Sequence, residues 1–244
     1  MRRALQLPAF VVPRYNEHYE GAYDERALEW RRLGARDKAA NLSSLLQGQA
    51  VGSVLEVGCG TGAVLAAVAR AGIGQSHTGV DLADPDKHRD PAARQLNLSR
   101  FDGQRLPFED GAFDLVYASH VIEHVPEPRA LLAEMARVAR RWVYVEVPCE
   151  LHLRTNRRHL QQSLDIGHIN AFTPESFRLL LETSELKVAH MGVFDHSLDV
   201  HAFQKGRLRA VPKLMLRRLL LGISPSLATR FFTFHVGALV TKSA

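Results

Sequence analysis

The stretch VLEVGCGTGAVL, residues 54–65, ends an apolar run on an acid and follows it with glycines at every second position, 58, 60 and 62. A glycine-rich turn between a strand and a helix lets a ligand approach the backbone and presents amides at a helix N-terminus. On those features alone two ligand chemistries stay open. Gly58, Gly60 and Ala63 fit a relaxed G-x-G-x-x-A dinucleotide pattern, and Asp81 stands at a suitable distance for a ribose-binding acid. Glu56 weighs against it, because a carboxylate beside the loop repels a pyrophosphate. Further along, His120, His124 and His168 are side chains able to take a proton near neutral pH.

The elements that must position these residues alternate in type. SVLEV (53–57) reads as a buried strand, followed by the glycine turn and an alanine-rich helix closed by Gly72. HTGVDL (77–82) is a second strand, RQLNLS (94–99) a weak third and FDLVYAS (113–119) a strong fourth. Pro128 opens a helix with apolar residues at helical spacing, and WVYVEVP (142–148) is a fifth strand that its proline should stop. Thr173 is the expected N-cap of a helix beginning at Pro174, and KVAHMGVF and FTFHVGALVTK supply two late strands. This alternation predicts an α/β fold with a mostly parallel sheet covered by helices on both faces. Ligands on such sheets bind beyond the carboxyl ends of the strands, where the glycine loop lies.

LEVGCGTG, GVDL and FDGQRLPFEDGAFDLVYASHVIEHV together resemble the class I S-adenosylmethionine-dependent methyltransferases, most closely the group containing the ubiquinone-biosynthesis and related small-molecule enzymes. The resemblance covers roughly residues 50–148. Its LPF-acid-acid-G-x-F-D block is the discriminating part, since dinucleotide enzymes do not carry it there. It implies a Rossmann-like sheet of seven strands, the last antiparallel, and S-adenosyl-L-methionine as cofactor. Amides of Gly58, Gly60 and Gly62, with Cys59 between them, would approach the amino-acid tail, and Glu56 would face its cationic end. Asp81 would accept the ribose hydroxyls, Leu82 pack on the adenine, and Asp102 with Gly103 take the adenine amino group. Ser119 and His120 would border the methionine part. Asp102-Gly103 also reads as a plain Asp-Gly turn.

Methyl transfer from a sulfonium is an in-line displacement in which alignment and desolvation supply much of the acceleration. A hydroxyl acceptor still has to lose a proton, so His168 and His120 are the candidate bases, with His124 at a turn where a structural hydrogen bond serves equally well. The histidines between 152 and 201 show no strong ligand spacing, so no metal is expected. Arg, His and Gln in residues 148–170 suit an acceptor bearing anionic oxygens or hydroxyls, and equally suit a solvated loop. Tyr15, Tyr19, Tyr23 and Trp30 either close the cofactor site or pack an amphipathic helix on the core.

The net charge of +5 is concentrated in 154–159 and 204–222, too local to call for nucleic acid. Cys59 and Cys149 form no CxxC pair, which leaves a reducing compartment as the default, and no stretch approaches the ~20 apolar residues of a membrane span. The expectation is one cytoplasmic methyltransferase domain over 1–244: a helical cap to residue 50, a cofactor core over 51–148, and an acceptor-side half over 149–244 with a helical insert at about 199–230. The insert reads first as core-packed or a homodimer surface, and second, over 204–222, as a membrane-surface contact. The expected reaction methylates oxygen or nitrogen of a small polar metabolite, a sugar or heteroaromatic natural-product intermediate. The alternatives are a nucleic-acid or protein methyltransferase, a non-catalytic S-adenosylmethionine-binding regulator, and an NAD(P)-dependent oxidoreductase.

Overall fold

The computed structural model describes residues 9–12 and 24–243, with backbone only for Gln204 and Lys205. Tyr15, Tyr19 and Tyr23 lie outside the described residues. A long helix, α1 (Glu25–Leu46), is followed by β1 (Ser53–Val57), α2 (Ala63–Arg70), β2 (Ser76–Asp81), β3 (Asn97–Arg100) and β4 (Phe113–Ser119). Next come α3 (Pro128–Val138), β5 (Ala139–Cys149), α4 (Arg157–Asp165), α5 (Pro174–Glu182) and β6 (Leu186–Phe194). Helices α6 (Leu198–Lys205), α7 (Arg207–Ile223) and α8 (Pro225–Phe231) then lead to β7 (Phe234–Lys242).

The seven strands form one sheet in the order β3-β2-β1-β4-β5-β7-β6. Pairings among β1 to β5 are parallel, and β7 runs antiparallel between β5 and β6. The strand order turns at β1, which has β2 on one side and β4 on the other, so the crevice beyond their carboxyl ends is the natural ligand position. Leu55, Val116 and Val145 are fully buried because both faces of the central strands are covered, and each contributes about 1.5–3 kcal/mol by leaving water. One face carries Leu132, Met135, Phe177 and Leu181 from α3 and α5; the other carries Ala35, Ala39, Leu42 and Leu46 from α1 with Leu65 and Val68 from α2. The Thr173 side chain caps α5 in a reciprocal box with Ser176.

Three elements depart from the sequence reading. β5 is not stopped by Pro148 but runs on to Cys149, paired there with β7. The third strand starts later, at Asn97, because Pro91–Ala93 closes a 3-10 turn capped by Asp90. Between β5 and α5 stands a helix, α4, capped by Asn156; none of its residues is fully buried, so it carries no apolar stripe to announce it. The insert between β6 and β7 consists of α6, α7 and α8.

Candidate active site

The glycine loop works by what it lacks. Gly58, Gly60 and Gly62 all have positive φ, at 76°, 50° and 78°. A side chain on Gly58 would overlap Val121, and one on Gly62 would meet Ala93 and Leu98 at 2.7 and 2.8 Å, whereas one on Gly60 would stand in open space. That space is a cavity of about 420 Å³ walled by Gly58, Gly60 and Thr61, by Asp81 and Leu82 after β2, by Phe101 and Gly103, and by His120, Val121 and His124. The loop amides expected to face a ligand are engaged internally. Gly58 and Cys59 donate to the Val80 carbonyl, Gly60 to Asp81 Oδ2 at 2.7 Å, and Gly62 to the Cys59 carbonyl. The loop's offering is therefore close approach to bare backbone, with Asp81 pinned beneath it by Gly60 and Ala83.

Behind this wall lies a buried group of acids. Glu56, Glu123 and Glu146 are 2%, 0% and 1% exposed, and the cation among them is Lys38 of α1. Burial pushes Glu56 up to about 8, with Lys38 acting against it, and Glu123 up to about 7, with His168 acting against it. Burial also pulls the Lys38 ammonium down, against the attraction of Glu146, Glu123 and Glu56. Among the described residues Ser119 Oγ and both oxygens of Glu123 are buried without a hydrogen-bond partner, while Glu56 and the Tyr117 hydroxyl face each other. Buried polar atoms seldom stay unpaired, so this group is shaped to receive a charged or donor-rich ligand. Glu146, by contrast, is held: its Oε2 accepts from Asn41 Nδ2 at 3.2 Å and from the Tyr144 hydroxyl.

The histidines divide by surroundings. His120 has φ of 60°, a left-handed backbone that few non-glycine residues adopt, and its amide donates to the Glu146 carbonyl at 2.9 Å to close the end of β4 on β5. The turn aims the ring between Glu123, 3.4 Å from Nδ1, and Glu146, 3.5 Å from Nε2. His235 of β7 lies 2.7 Å from the same Nε2. Burial first, then Lys38, pulls His120 well down, so its ring is neutral; burial and then His120 do the same to His235. His168 is different. Burial pulls it down, but Glu150 at 3.0 Å and the charge of Glu123 raise it overall, which favours the imidazolium. His124 lines the cavity, and its Nδ1 is bonded to the Gly167 carbonyl at 3.0 Å.

Of the residues singled out in the sequence, Gly58, Gly60, Asp81, Leu82, Gly103 and His120 line the cavity. Glu56 and Ser119 stand in the buried layer behind it. Gly62 is the N-cap of α2, and Cys59 packs under Gly79 with burial holding its thiol well up, and neither residue lines the cavity. Asp102 is exposed and spends Oδ1 on the amides of Gln104 and Arg105 at 2.8 and 3.1 Å, the Asp-Gly turn geometry. His168 stands behind the lining residues. Arg154, Arg157 and Arg158 do not line the cavity, whose cationic residues are Arg31 and Lys87. Trp30 packs α1 on α6 through Phe203 and His196, at ring distances of 5.8 and 5.9 Å. Sequence reasoning missed Lys38, Tyr117, Glu123, Glu146 and His235. Tyr117 and Glu123 lie inside the FDGQRLPFEDGAFDLVYASHVIEHV block, whereas Lys38, Glu146 and His235 have no motif around them, and only the fold brings the five together.

Among the described residues no helix is long and apolar enough to cross a membrane. A family model described as a methyltransferase domain matches residues 25–191. An uncharacterized methyltransferase of Mycobacterium sp. (strain JLS) is 43% identical over 89 residues, 36% of this chain and 34% of that protein. An O-methyltransferase of Aspergillus nomiae is 34% identical over 93 residues, 36% of this chain and 41% of that protein. The chain thus spans about a third of the length of the curated relatives it matches first. Among solved structures, geranyl diphosphate methyltransferase in complex with S-adenosylmethionine is similar with a TM-score of 0.62 at 14% identity, covering 93% of this chain and 94% of that one. With the family model spanning more than half of it, the chain belongs to the methyltransferase-domain family, within the class I S-adenosylmethionine-dependent methyltransferases.

Proposed function

We propose that the chain transfers the methyl group of S-adenosyl-L-methionine to an oxygen or nitrogen of a small polar metabolite by in-line displacement. The observation that carries this reading is the continuity of the cavity, which runs from the bare backbone at Gly60, past Asp81 and Leu82, to His120 and Val121. In this reading the ribose lies over Asp81, the adenine between Leu82 and Phe101 near Gly103, and the cationic end of the methionine part is drawn toward Glu56. Ser119 and His120 then stand where donor and acceptor meet. A hydroxyl is the first candidate acceptor, since the Aspergillus relative is named an O-methyltransferase.

His120 is the better of the two candidate bases. It lines the cavity as a neutral ring, whereas His168 does not line it and is raised, against burial, by its bond to Glu150, which favours the imidazolium. We read the whole chain as one cytoplasmic methyltransferase domain, with residues 149–244 as the acceptor half. The exposed face of α7, with Leu208, Met215, Leu219 and Ile223, fits a homodimer contact better than a core-packed insert.

Calorimetric titration with S-adenosylmethionine, S-adenosylhomocysteine and NADH tests the ligand. Both sulfur ligands should bind, and binding of NADH alone overturns the reading. A methyl-release assay over hydroxylated and amino metabolites then tests the reaction. His120→Asn, which tolerates the left-handed backbone, should keep cofactor binding and lower turnover about 10²–10⁴-fold. Unchanged turnover would mean that the acceptor needs no base.

A further inference from the structure

Three donor atoms from three different strand ends converge beside the cavity: His120 Nε2, His235 Nδ1 and Glu146 Oε1. His120 Nε2 and His235 Nδ1 are 2.7 Å apart, His120 Nε2 and Glu146 Oε1 3.5 Å, and His235 Nδ1 and Glu146 Oε1 3.9 Å. A triangle with those sides has a circumradius of about 2.0 Å, so a point in its plane lies at metal-bond length from all three atoms, zinc bonds to imidazole and carboxylate being about 2.0–2.2 Å, and the hydrogen bond between the two rings has to open by roughly half an ångström for tetrahedral binding.

The outer contacts favour the same point. Asn41 and Tyr144 occupy Glu146 Oε2 and turn Oε1 toward the imidazoles. On the far side of the His120 ring, Glu123 faces Nδ1 at 3.4 Å, the carboxylate–histidine arrangement that orients imidazole ligands. Two imidazoles and one carboxylate with a position left over is the composition of a catalytic zinc-type site and not of a closed structural one.

We propose that His120, His235 and Glu146 hold one divalent transition-metal cation of the zinc class at the cavity wall, with its remaining position open to an oxygen of the methyl acceptor. Only that last clause rests on the methyltransferase reading. The site departs from the expectation of no metal, because its ligands are 26 and 89 residues apart along the chain and leave no local spacing to detect. Bound there, the cation occupies His120 Nε2, so the base role proposed above for His120 belongs to the protein without the cation, and with it the cation acts on the acceptor directly.

The test loads EDTA-stripped full-length protein with Co²⁺ and follows its visible d–d absorption. About one equivalent should bind and give the intense band of a four- or five-coordinate site. His235→Ala and the near-isosteric Glu146→Gln should each weaken Co²⁺ binding at least about tenfold, whereas His124→Ala, from the neighbouring Glu123, His124 and His168 group, should leave the band in place. X-ray absorption of the zinc-loaded unmodified protein needs no variant and should show two imidazoles. No Co²⁺ band, a band indifferent to both substitutions, one lost with His124→Ala alone, or fewer than two imidazoles would each overturn the proposal. Calorimetric binding of S-adenosylhomocysteine to the stripped protein is read separately, so failure of the metal site and failure of the cofactor reading are distinguishable.

Discussion

Glu56 stands at about 8 because burial outweighs the attraction of Lys38 on α1, with Tyr117 of β4, Asp81 after β2 and Cys59 of the loop facing it as well. At pH 7 a carboxyl of that pKa is roughly nine-tenths protonated. If the cationic end of S-adenosylmethionine is drawn to Glu56, binding selects the carboxylate, and about 0.9 proton leaves the protein for each ligand bound at pH 7. Titration calorimetry in two buffers of different ionisation enthalpy measures that release. The ligand's own amino group, titrating near 7.7–8.0, takes up only about 0.1 proton at pH 7, and Glu56→Gln isolates the difference. Stability should move the other way. The carboxyl is raised above its ordinary 4.5, so its penalty on folding is absent below that pH, grows as pH rises through it, and is complete above about 8. Glu56→Gln should therefore melt higher than the wild type at pH 8 and bind the cofactor more weakly. A release below about 0.2 proton, or the same release in the Gln variant, would refute the reasoning.

Three further outcomes follow from packing. Arg217 and Asp195 are paired at 2.7 Å with side chains 5% and 6% exposed, so Arg217→Met should cost about 3–5 kcal/mol and lower Tm by roughly 6–20 °C in thermal unfolding. Burial pushes Asp195 up, but His201 and Arg217 together hold it well down; its stabilisation is thus present above the ordinary carboxyl range and lost as pH falls through the folded value, a loss that Arg217→Met should reduce in urea titrations at low pH. His168 is raised, so the stability it contributes is present below its ordinary 6.5 and lost as pH rises through its folded pKa; Glu150→Gln should bring that NMR-observed pKa down and flatten the melting profile there. Gly58→Ala should lose about 1–2 kcal/mol to its left-handed φ plus a clash with Val121, and adding Val121→Ala should return the second part alone in a double-mutant cycle.

The parallel half of the sheet was legible because β1 and β4 are short, mostly apolar runs bounded by turn residues, and the motifs placed on them kept their positions. The cavity wall was legible for the same reason, since Gly58, Gly60, Asp81, Leu82 and His120 sit at or just past the ends of β1, β2 and β4. The chemistry of the loop was less so. That its amides are spent on Val80 and Asp81 depends on the neighbouring strand, which a local pattern does not encode. Hidden more deeply were Lys38, Glu146 and His235, whose meeting is set by α1 lying across the sheet and by β7 entering beside β5. Local periodicity describes each of those elements correctly and says nothing about which charged residue faces which.

The position of β7 also sets an order of events. Among the described strands β6 bonds only to β7, and β7 reaches the gap beside β5 after the three helices of the insert. As the chain emerges from a ribosome, every strand that shapes the glycine loop and Asp81 is available early, while β5 waits with one edge bare. Such non-local pairing closes slowly, and a bare edge is an invitation to another chain. The half that receives the cofactor can therefore mature first, with a ligand as its early stabiliser, whereas His235 joins His120 only when the last strand docks. The nascent chain thus holds the glycine-loop side of its cavity complete before His235 closes in beside His120.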